Sequence, residues 1–228
     1  MNKQNAVAII NNALQGGRKT LDEYESKQVL TAYAIPVTRE ILIGDREAVE
    51  KAAQEIGYPL VMKGCSPEIA HKTEKGLIHA DIRTAGEALQ TFDEITAGMK
   101  GFSGGVLIQE MIRGKRELVI GMNRDEQFGP CIMLGLGGIF TEILRDVAFR
   151  RAPLTRDDAH ALMNEFQAHK ILDALRGMEC ADKEALAAML INVGRIGLEI
   201  EQIAEIDLNP VIIAGTKPVT VDALIVLK

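Results

Sequence analysis

The spacing of hydrophobic positions at the start of the chain predicts two amphipathic helices. The first covers residues 6–14, where apolar side chains recur with the period of a helix. The second is expected to follow Thr20-Leu21-Asp22-Glu23, which has the Thr-x-x-Glu form of a capping box. Because Pro36 disfavours helical geometry at the residue before it, this helix should end near Tyr33.

Helical and strand patterns alternate over the next part of the chain. Short apolar runs bounded by turn residues predict strands, and longer amphipathic stretches predict helices. The predicted strands are residues 37–43, 59–63 and 77–82, and the predicted helices are residues 45–56 and 85–99. This alternation predicts a small α/β lobe.

The pattern changes after the glycine-rich turn at residues 101–105. Closely spaced strands, which favour an antiparallel sheet, are predicted at residues 106–111, 117–123, 130–134 and 146–151. A helical block over 155–201, broken at Gly177, and two strands at 204–213 and 219–221 follow. The domain organisation predicted in this way is an N-terminal helix over 1–19, a smaller α/β lobe over 20–100 and a larger lobe over 101–228.

Composition narrows the possible function classes. The 228 residues are 47% hydrophobic, enough for a substantial core, and carry a formal net charge of −6. An acidic protein is not attracted to nucleic acid or to an anionic membrane, and no apolar run approaches the roughly 20 residues that a bilayer span requires. Three scattered cysteines do not form a disulfide framework. We therefore expect a cytoplasmic protein with neither nucleic acid nor membrane as its partner.

Lys63 and His71 are the first candidates for chemistry. Lys63 is placed at the end of a predicted buried strand beside Gly64-Cys65-Ser66-Pro67, where an ammonium on a flexible stem could follow phosphate oxygens. The alternative is a lysine that extends from the strand end into water. His71 lies in a loop rich in charged and hydroxyl groups and could act as a nucleophile, a base or a phosphate carrier, or else serve as a surface residue.

A second candidate lies where a predicted apolar strand ends at Glu110-Met111-Ile112, followed by Glu117 at the start of the next strand. Backbone groups at such a junction can pair with adenine, and a nearby carboxylate can accept hydrogens from ribose hydroxyls. An ordinary connection between strands, with solvated acids, is the alternative.

A glycine run, Gly135-Leu136-Gly137-Gly138, could form an anion-binding nest of backbone N–H groups or a simple flexible turn. It has neither the Walker A nor the Rossmann spacing. Glu142, Asp146 and Arg150 follow and offer acceptors and a cation to the same loop.

Alternating oxygen-bearing residues near the C-terminus suggest a cation site. In an extended segment Glu205, Asp207 and Asn209 share one face, and Asp222 could complete the set if its strand pairs with theirs. Magnesium prefers such carboxylate and amide oxygens. A polar strand face without a metal is the alternative.

Taken together, these motifs resemble the ATP-grasp β subunit of ADP-forming acyl-CoA synthetases, which is related to the succinyl-CoA synthetase β subunit. The resemblance extends from Leu21-Asp22-Glu23-Tyr24-Glu25-Ser26-Lys27 to Val221-Asp222-Ala223, and its most specific stretch is Ser66-Pro67-Glu68-Ile69-Ala70-His71-Lys72-Thr73-Glu74. It implies an α/β (α+β) ATP-grasp fold of two lobes with ATP or ADP held between them.

The same resemblance implies a role for each candidate residue. Lys63, Gly137 and Gly138 would contact phosphates, and Glu117 would bind ribose. Glu110 and Ile112 would present backbone groups to adenine. Asn209 and Asp222, with Asp207 nearby, would hold Mg²⁺. His71 would carry the phosphoryl group to a histidine of a partner, an α subunit with the CoA-binding and ligase domains, in a heterotetramer.

Two other functions remain open at this point. A stand-alone ATP-grasp carboxylate-amine or carboxylate-thiol ligase forms an acyl phosphate directly and needs no histidine carrier, so the His71 loop disfavours it. A nucleotide-binding regulatory module without turnover would be favoured if magnesium ligands were missing, and Asn209 and Asp222 are present.

Overall fold

A computed structural model of the chain describes residues 3–69, 76–138, 146–174 and 177–228. Its helices are α1 (Lys3–Gln15), α2 (Glu23–Ala32), α3 (Val49–Ile56), α4 (Ala85–Gly98), α5 (Arg156–Glu165) and α6 (Lys183–Glu199), with 3₁₀ turns at Arg46–Ala48 and His169–Leu172. Its strands are β1 (Glu40–Ile43), β2 (Leu60–Cys65), β3 (Ile78–Ile82), β4 (Gly105–Glu110), β5 (Glu117–Asp125), β6 (Gly129–Leu136), β7 (Val147–Arg151), β8 (Ile203–Ala214), β9 (Lys217–Thr220) and β10 (Ala223–Leu227). None of the helices in these described ranges is long and apolar enough to cross a membrane.

The described residues form two compact units. Unit 1 contains the residues up to Leu21, then Glu25–Val37 and the chain from Ile112 to Lys228. Unit 2 contains Asp22–Tyr24 and Thr38–Met111. These bounds differ from the lobes expected from the sequence, because β4 pairs with β1 and β2 of unit 2 although it follows residue 100.

Unit 2 is a four-stranded antiparallel sheet with strand order β1-β4-β2-β3, and α3 and α4 contribute to its core. Helix α3 buries Val49, Ala52, Ala53 and Ile56, the i, i+3, i+4, i+7 positions of one helical face. They join a hydrophobic core with Leu60 and Met62 of β2 and with Phe92 and Ile95 of α4. Since successive strand residues point to opposite faces, this core leaves Val61 and Lys63 on the other face of the sheet.

Unit 1 is built on a six-stranded antiparallel sheet with order β10-β8-β5-β6-β7, in which β9 pairs with β8. Its core brings side chains of α6, including Leu186, Leu190 and Val193, together with Ile120 of β5 and Ile132 of β6. The antiparallel sheet predicted for this part of the chain is confirmed. The predicted helical block is two α-helices, α5 and α6, with a 3₁₀ turn between them.

Two local predictions were wrong. Thr20 is not the cap of α2, since it forms a β-bridge with Val226, and the N–H of Leu21 donates to the carbonyl of Ile225. Pairing with β10 therefore prevails over the capping-box pattern, and the helix begins at Glu23. The apolar run that forms β10 was itself not predicted as a strand, and it pairs with β8 along its length.

Candidate functional site

Lys63 lies in the centre of the unit 2 sheet, not at a strand end as predicted. Its strand, β2, continues to Cys65, and its backbone is paired with Leu107 on one side and Ile78 on the other. Its ammonium Nζ lies 2.7 Å from Oε1 of Glu23, the first residue of α2. The two side chains are only 4% and 2% exposed. Sequence reasoning missed this partner because Glu23 was assigned to a capping box.

A buried ammonium requires a counter-charge, since an isolated charge is strongly disfavoured away from water. Glu23 provides it, so Lys63 is a fixed, charged donor in the fold rather than a lysine extending into solvent. That arrangement suits the phosphate contact predicted from the sequence.

Glu110, the last residue of β4, is held by Arg39. The backbone N–H of Arg39 donates to Oε1 of Glu110 at 2.8 Å, and Nε donates to Oε2 at 3.1 Å. The N–H of Glu110 donates in turn to the carbonyl of Arg39 at 3.0 Å. The carboxylate and the N–H of Glu110 are therefore both held by Arg39. Ile112, two residues on, is half-buried.

Glu117 and the glycine run come together in unit 1. Gly137 donates its N–H to the carbonyl of Glu117 at 2.8 Å. A Cβ on Gly137 would lie 2.8 Å from the carbonyl carbon of Glu117, so glycine is required there. Gly138 has a φ of +66°, and a Cβ on it would lie 2.8 Å from Oε2 of Glu117. The predicted ribose acceptor and the predicted phosphate nest are thus in direct contact.

The acidic and basic residues that follow the glycine run have other partners. Asp146 accepts hydrogen bonds from the backbone N–H groups of Gln167 and Ala168, both at 2.7 Å. Arg150 pairs with Glu165. Their engagement in these contacts argues against the role at the loop expected from the sequence. Glu142 lies outside the described residues.

The oxygen-bearing residues of β8 lie together as predicted. Leu224 of β10 is opposite Asp207, and the N–H of Asn209 donates to the carbonyl of Asp222 at 3.2 Å, which places Asp222 beside this part of β8. Burial, followed by the negative charges of Glu205 and Asp222, raises the pKa of Asp207 to about 6. The strand face therefore concentrates negative charge.

The chemistry of this donor set fits magnesium, which takes carboxylate and amide oxygens together with substrate phosphate and water. Over the described ranges, no group of three or more His, Cys, Asp or Glu side chains is arranged to hold a metal. Asp207, Asn209 and Asp222 would consequently supply only part of a coordination shell.

His71 lies outside the described residues, but the chain that leads to it is anchored. Glu68 accepts hydrogen bonds from the hydroxyl of Ser103 at 2.5 Å and from its N–H at 3.3 Å, and these bonds lower the pKa of Glu68. A Cβ on the neighbouring Gly104 would lie 2.0 Å from the carbonyl oxygen of Cys65, so the two segments are packed backbone to backbone.

Comparison with known proteins identifies the family. Residues 12–227 match the model of the ATP-grasp domain. The chain is 42% identical over 234 residues to the acetate–CoA ligase [ADP-forming] II subunit beta of Pyrococcus furiosus, covering 99% of each chain. The chain belongs to this family of ATP-grasp β subunits. The predicted family and fold class are confirmed.

Two further members of this ATP-grasp family are informative. The acetate–CoA ligase [ADP-forming] I of Archaeoglobus fulgidus is 37% identical over 99% of this chain, which covers 33% of that longer protein. A solved structure from Ca. Korarchaeum cryptofilum has a TM-score of 0.87 and 42% identity, covering 98% of this chain and 100% of that chain. It is a dinucleotide-forming acetyl-coenzyme A synthetase 1 in complex with coenzyme A and Mg-AMPPCP, with its phosphohistidine segment pointing towards the nucleotide-binding site.

Proposed function

We propose that this chain is the nucleotide-binding β subunit of a reversible ADP-forming acyl-CoA synthetase, which converts acid, CoA and ATP into acyl-CoA, ADP and phosphate. The observation that carries the proposal is 42% identity over 99% of both chains with an established β subunit of this class. The Archaeoglobus protein, three times as long, supports a division of labour in which the remaining chemistry lies in another part of the enzyme.

The nucleotide is bound in this proposal through groups already described. Lys63 donates an ammonium N–H to phosphate oxygens, and Glu117 accepts hydrogens from the ribose hydroxyls. The carbonyl of Glu110 and the N–H of Ile112 offer one acceptor and one donor, the pattern that the N6 amino group and N1 of adenine require. The N–H of Gly138 faces the phosphates in this proposal, whereas the N–H of Gly137, also expected to do so from the sequence, is engaged with the carbonyl of Glu117.

Asp207, Asn209 and Asp222 hold Mg²⁺ in this proposal. When bound, the cation supplies charge that offsets the negative phosphoryl oxygens. The chain's own contribution is a strand face of carboxylate and amide oxygens whose backbone is fixed by pairing with β10 and β5.

His71 is the phosphoryl carrier. A ring nitrogen of His71 forms a bond to the γ-phosphorus of ATP, the bond to the bridging oxygen breaks, and ADP leaves. The phosphoryl group then passes to a histidine of an α subunit that has the CoA-binding and ligase domains. The phosphohistidine segment of the Korarchaeum enzyme supports this role. We further propose that the two kinds of subunit form a heterotetramer and that the complex is cytoplasmic. The free cysteines at positions 65, 131 and 180 are in keeping with the cytoplasmic location.

The proposal is tested with the purified chain and its α partner. Calorimetry of the chain alone should show binding of ATP and ADP that strengthens with MgCl₂, and a hydroxamate assay with acetate and CoA should show no product. Adding the α subunit should restore acyl-CoA formation. Turnover by the chain alone, or no nucleotide binding, would contradict the proposal.

A further inference from the structure

The ion pair between Glu23 and Lys63 has features that stability does not explain. Removing two charges from water costs more free energy than a single contact commonly returns, so a well-packed apolar pair is often as stable or more stable. Val61, on the same strand and the same sheet face, shows that an apolar side chain is accommodated two residues away. A buried carboxylate at position 23 is therefore better explained by what it does to the ammonium.

Both ends of the lysine are constrained. The backbone of Lys63 is held by strand pairing on each side, to Leu107 and to Ile78. The side chain that joins this backbone to the ammonium has several rotatable bonds. Lys, unlike Arg, has no rigid fork to direct its donors. The 2.7 Å contact with Glu23 selects one position for the tip.

The contact is compatible with phosphate binding. An ammonium carries three N–H groups and can bind a carboxylate and a phosphate oxygen at the same time. Glu23 is the first residue of α2, so its own backbone is set by a helix terminus. The ammonium is thus placed by two regular elements that lie 40 residues apart in the chain.

We propose that Glu23 is a positioning residue for phosphoryl transfer, which aims the ammonium of Lys63 at the transferring phosphoryl group. This inference rests on the proposed function, in which Lys63 contacts phosphate. Glu23 does not touch the nucleotide in this proposal, and it acts only through Lys63.

The inference predicts a separation between kcat and KM. In the complex with the α subunit, assayed with ATP, acetate and CoA, Glu23→Gln should lower kcat by about 10- to 100-fold, as expected for a misplacement of about 1 Å near the reacting group. The KM for ATP should not rise, because the phosphates themselves provide a counter-charge for the ammonium of Lys63 when residue 23 is neutral. A purely structural residue would change the amount of folded complex and leave kcat per active site unchanged.

Glu25→Gln is a matched control on the same helix. Glu25 pairs with Arg18 at 2.7 Å and has no role in the proposed site, so this variant should keep wild-type kcat and KM. Glu23→Asp keeps the charge but shortens the side chain by one methylene, and its kcat should lie between those of wild type and Glu23→Gln. If Glu23→Gln does not fold, Glu23→Asp decides: a tenfold lower kcat supports the inference and a wild-type kcat overturns it.

Lys63→Met separates this inference from the proposed function. If Lys63→Met leaves kcat and KM unchanged, the proposed phosphate contact is wrong. If Lys63→Met is impaired and Glu23→Gln is not, only the role of Glu23 is overturned. The double variant Glu23→Gln/Lys63→Met should be no slower than Lys63→Met alone, since one residue acts through the other. Multiplicative losses would contradict the inference.

Discussion

Replacement of Asp207 by Asn should stabilise the metal-free protein against unfolding, while it weakens binding of Mg²⁺ at the proposed metal site. The pKa of Asp207 rises from its ordinary value of 3.8 to about 6, first because of burial and then because of Glu205 and Asp222. One pKa unit corresponds to about 1.4 kcal/mol, so ionisation of this carboxylate costs the fold roughly 3 kcal/mol at neutral pH. Screening by solvent at a partly exposed group reduces that figure to about 2 kcal/mol.

The sign of the pH dependence of stability follows from protonation of Asp207 in the folded and in the unfolded protein. The folded pKa lies above the unfolded one, so the folded protein holds this proton more strongly. The resulting stability is complete below about pH 4 and is lost as the pH rises through about 6. Asn does not titrate, so Asp207→Asn should exceed wild type by about 2 kcal/mol at pH 7.5 and by almost nothing at pH 4.

Urea denaturation with EDTA at pH 4, 5, 6 and 7.5 measures this difference, with equal m-values as the check that the unfolded states are comparable. Glu205→Gln is the control, because this exposed carboxylate on the same strand face should give a much smaller gain. Adding MgCl₂ and ATP should stabilise wild type more than Asp207→Asn. A variant no more stable than wild type at pH 7.5, or a gain independent of pH, would refute the electrostatic argument.

Three further predictions concern the metal, the carrier and the fold. Asp222→Asn should weaken binding of Mg-ATP in calorimetry by about tenfold more than binding of ATP in EDTA, since a ligand acts through the cation; equal losses would indicate a structural role. His71→Ala should keep ATP affinity within about threefold and abolish transfer of ³²P from γ-labelled ATP to the α subunit, because only the carrier is lost; undiminished labelling would exclude the relay. Lys3, followed by Arg195 and Tyr33, lowers the pKa of Glu199 to about 2. Glu199→Gln should therefore cost about 1 kcal/mol in urea at pH 7 and less as the pH falls below about 4.5; a constant loss would contradict this.

The parts of the fold that were predictable from sequence are those specified by local periodicity. The apolar face of α3, the apolar run of β5 and the alternation of β8 depend on neighbours a few residues away, and each element was predicted at nearly its observed position. The capping-box pattern at Thr20 was also local, but pairing with β10 at the far end of the chain prevailed.

The candidate site was predictable to a similar extent. The alternation of Asp207 and Asn209 on one strand face follows from strand geometry and is present in the structure. The partner of Glu23 was missed because that residue was assigned to a capping box, and Arg39 was missed because a single charged residue has no periodic signal. Their significance depends on partners 40 and 71 residues away in the chain, which only the folded structure brings together.

The contact between Gly137 and Glu117 affects how glycine motifs are used to infer activity. A methyl group at Gly137 would collide with the backbone of Glu117 and Leu118 whether or not a nucleotide is bound. Selection for a foldable β5–β6 pair alone would therefore preserve this glycine in a descendant that had lost catalysis. Surveys that count such a glycine as a mark of an active enzyme would overestimate the number of active members. Position 117 is more informative, because the carboxylate of Glu117 is not needed for that packing.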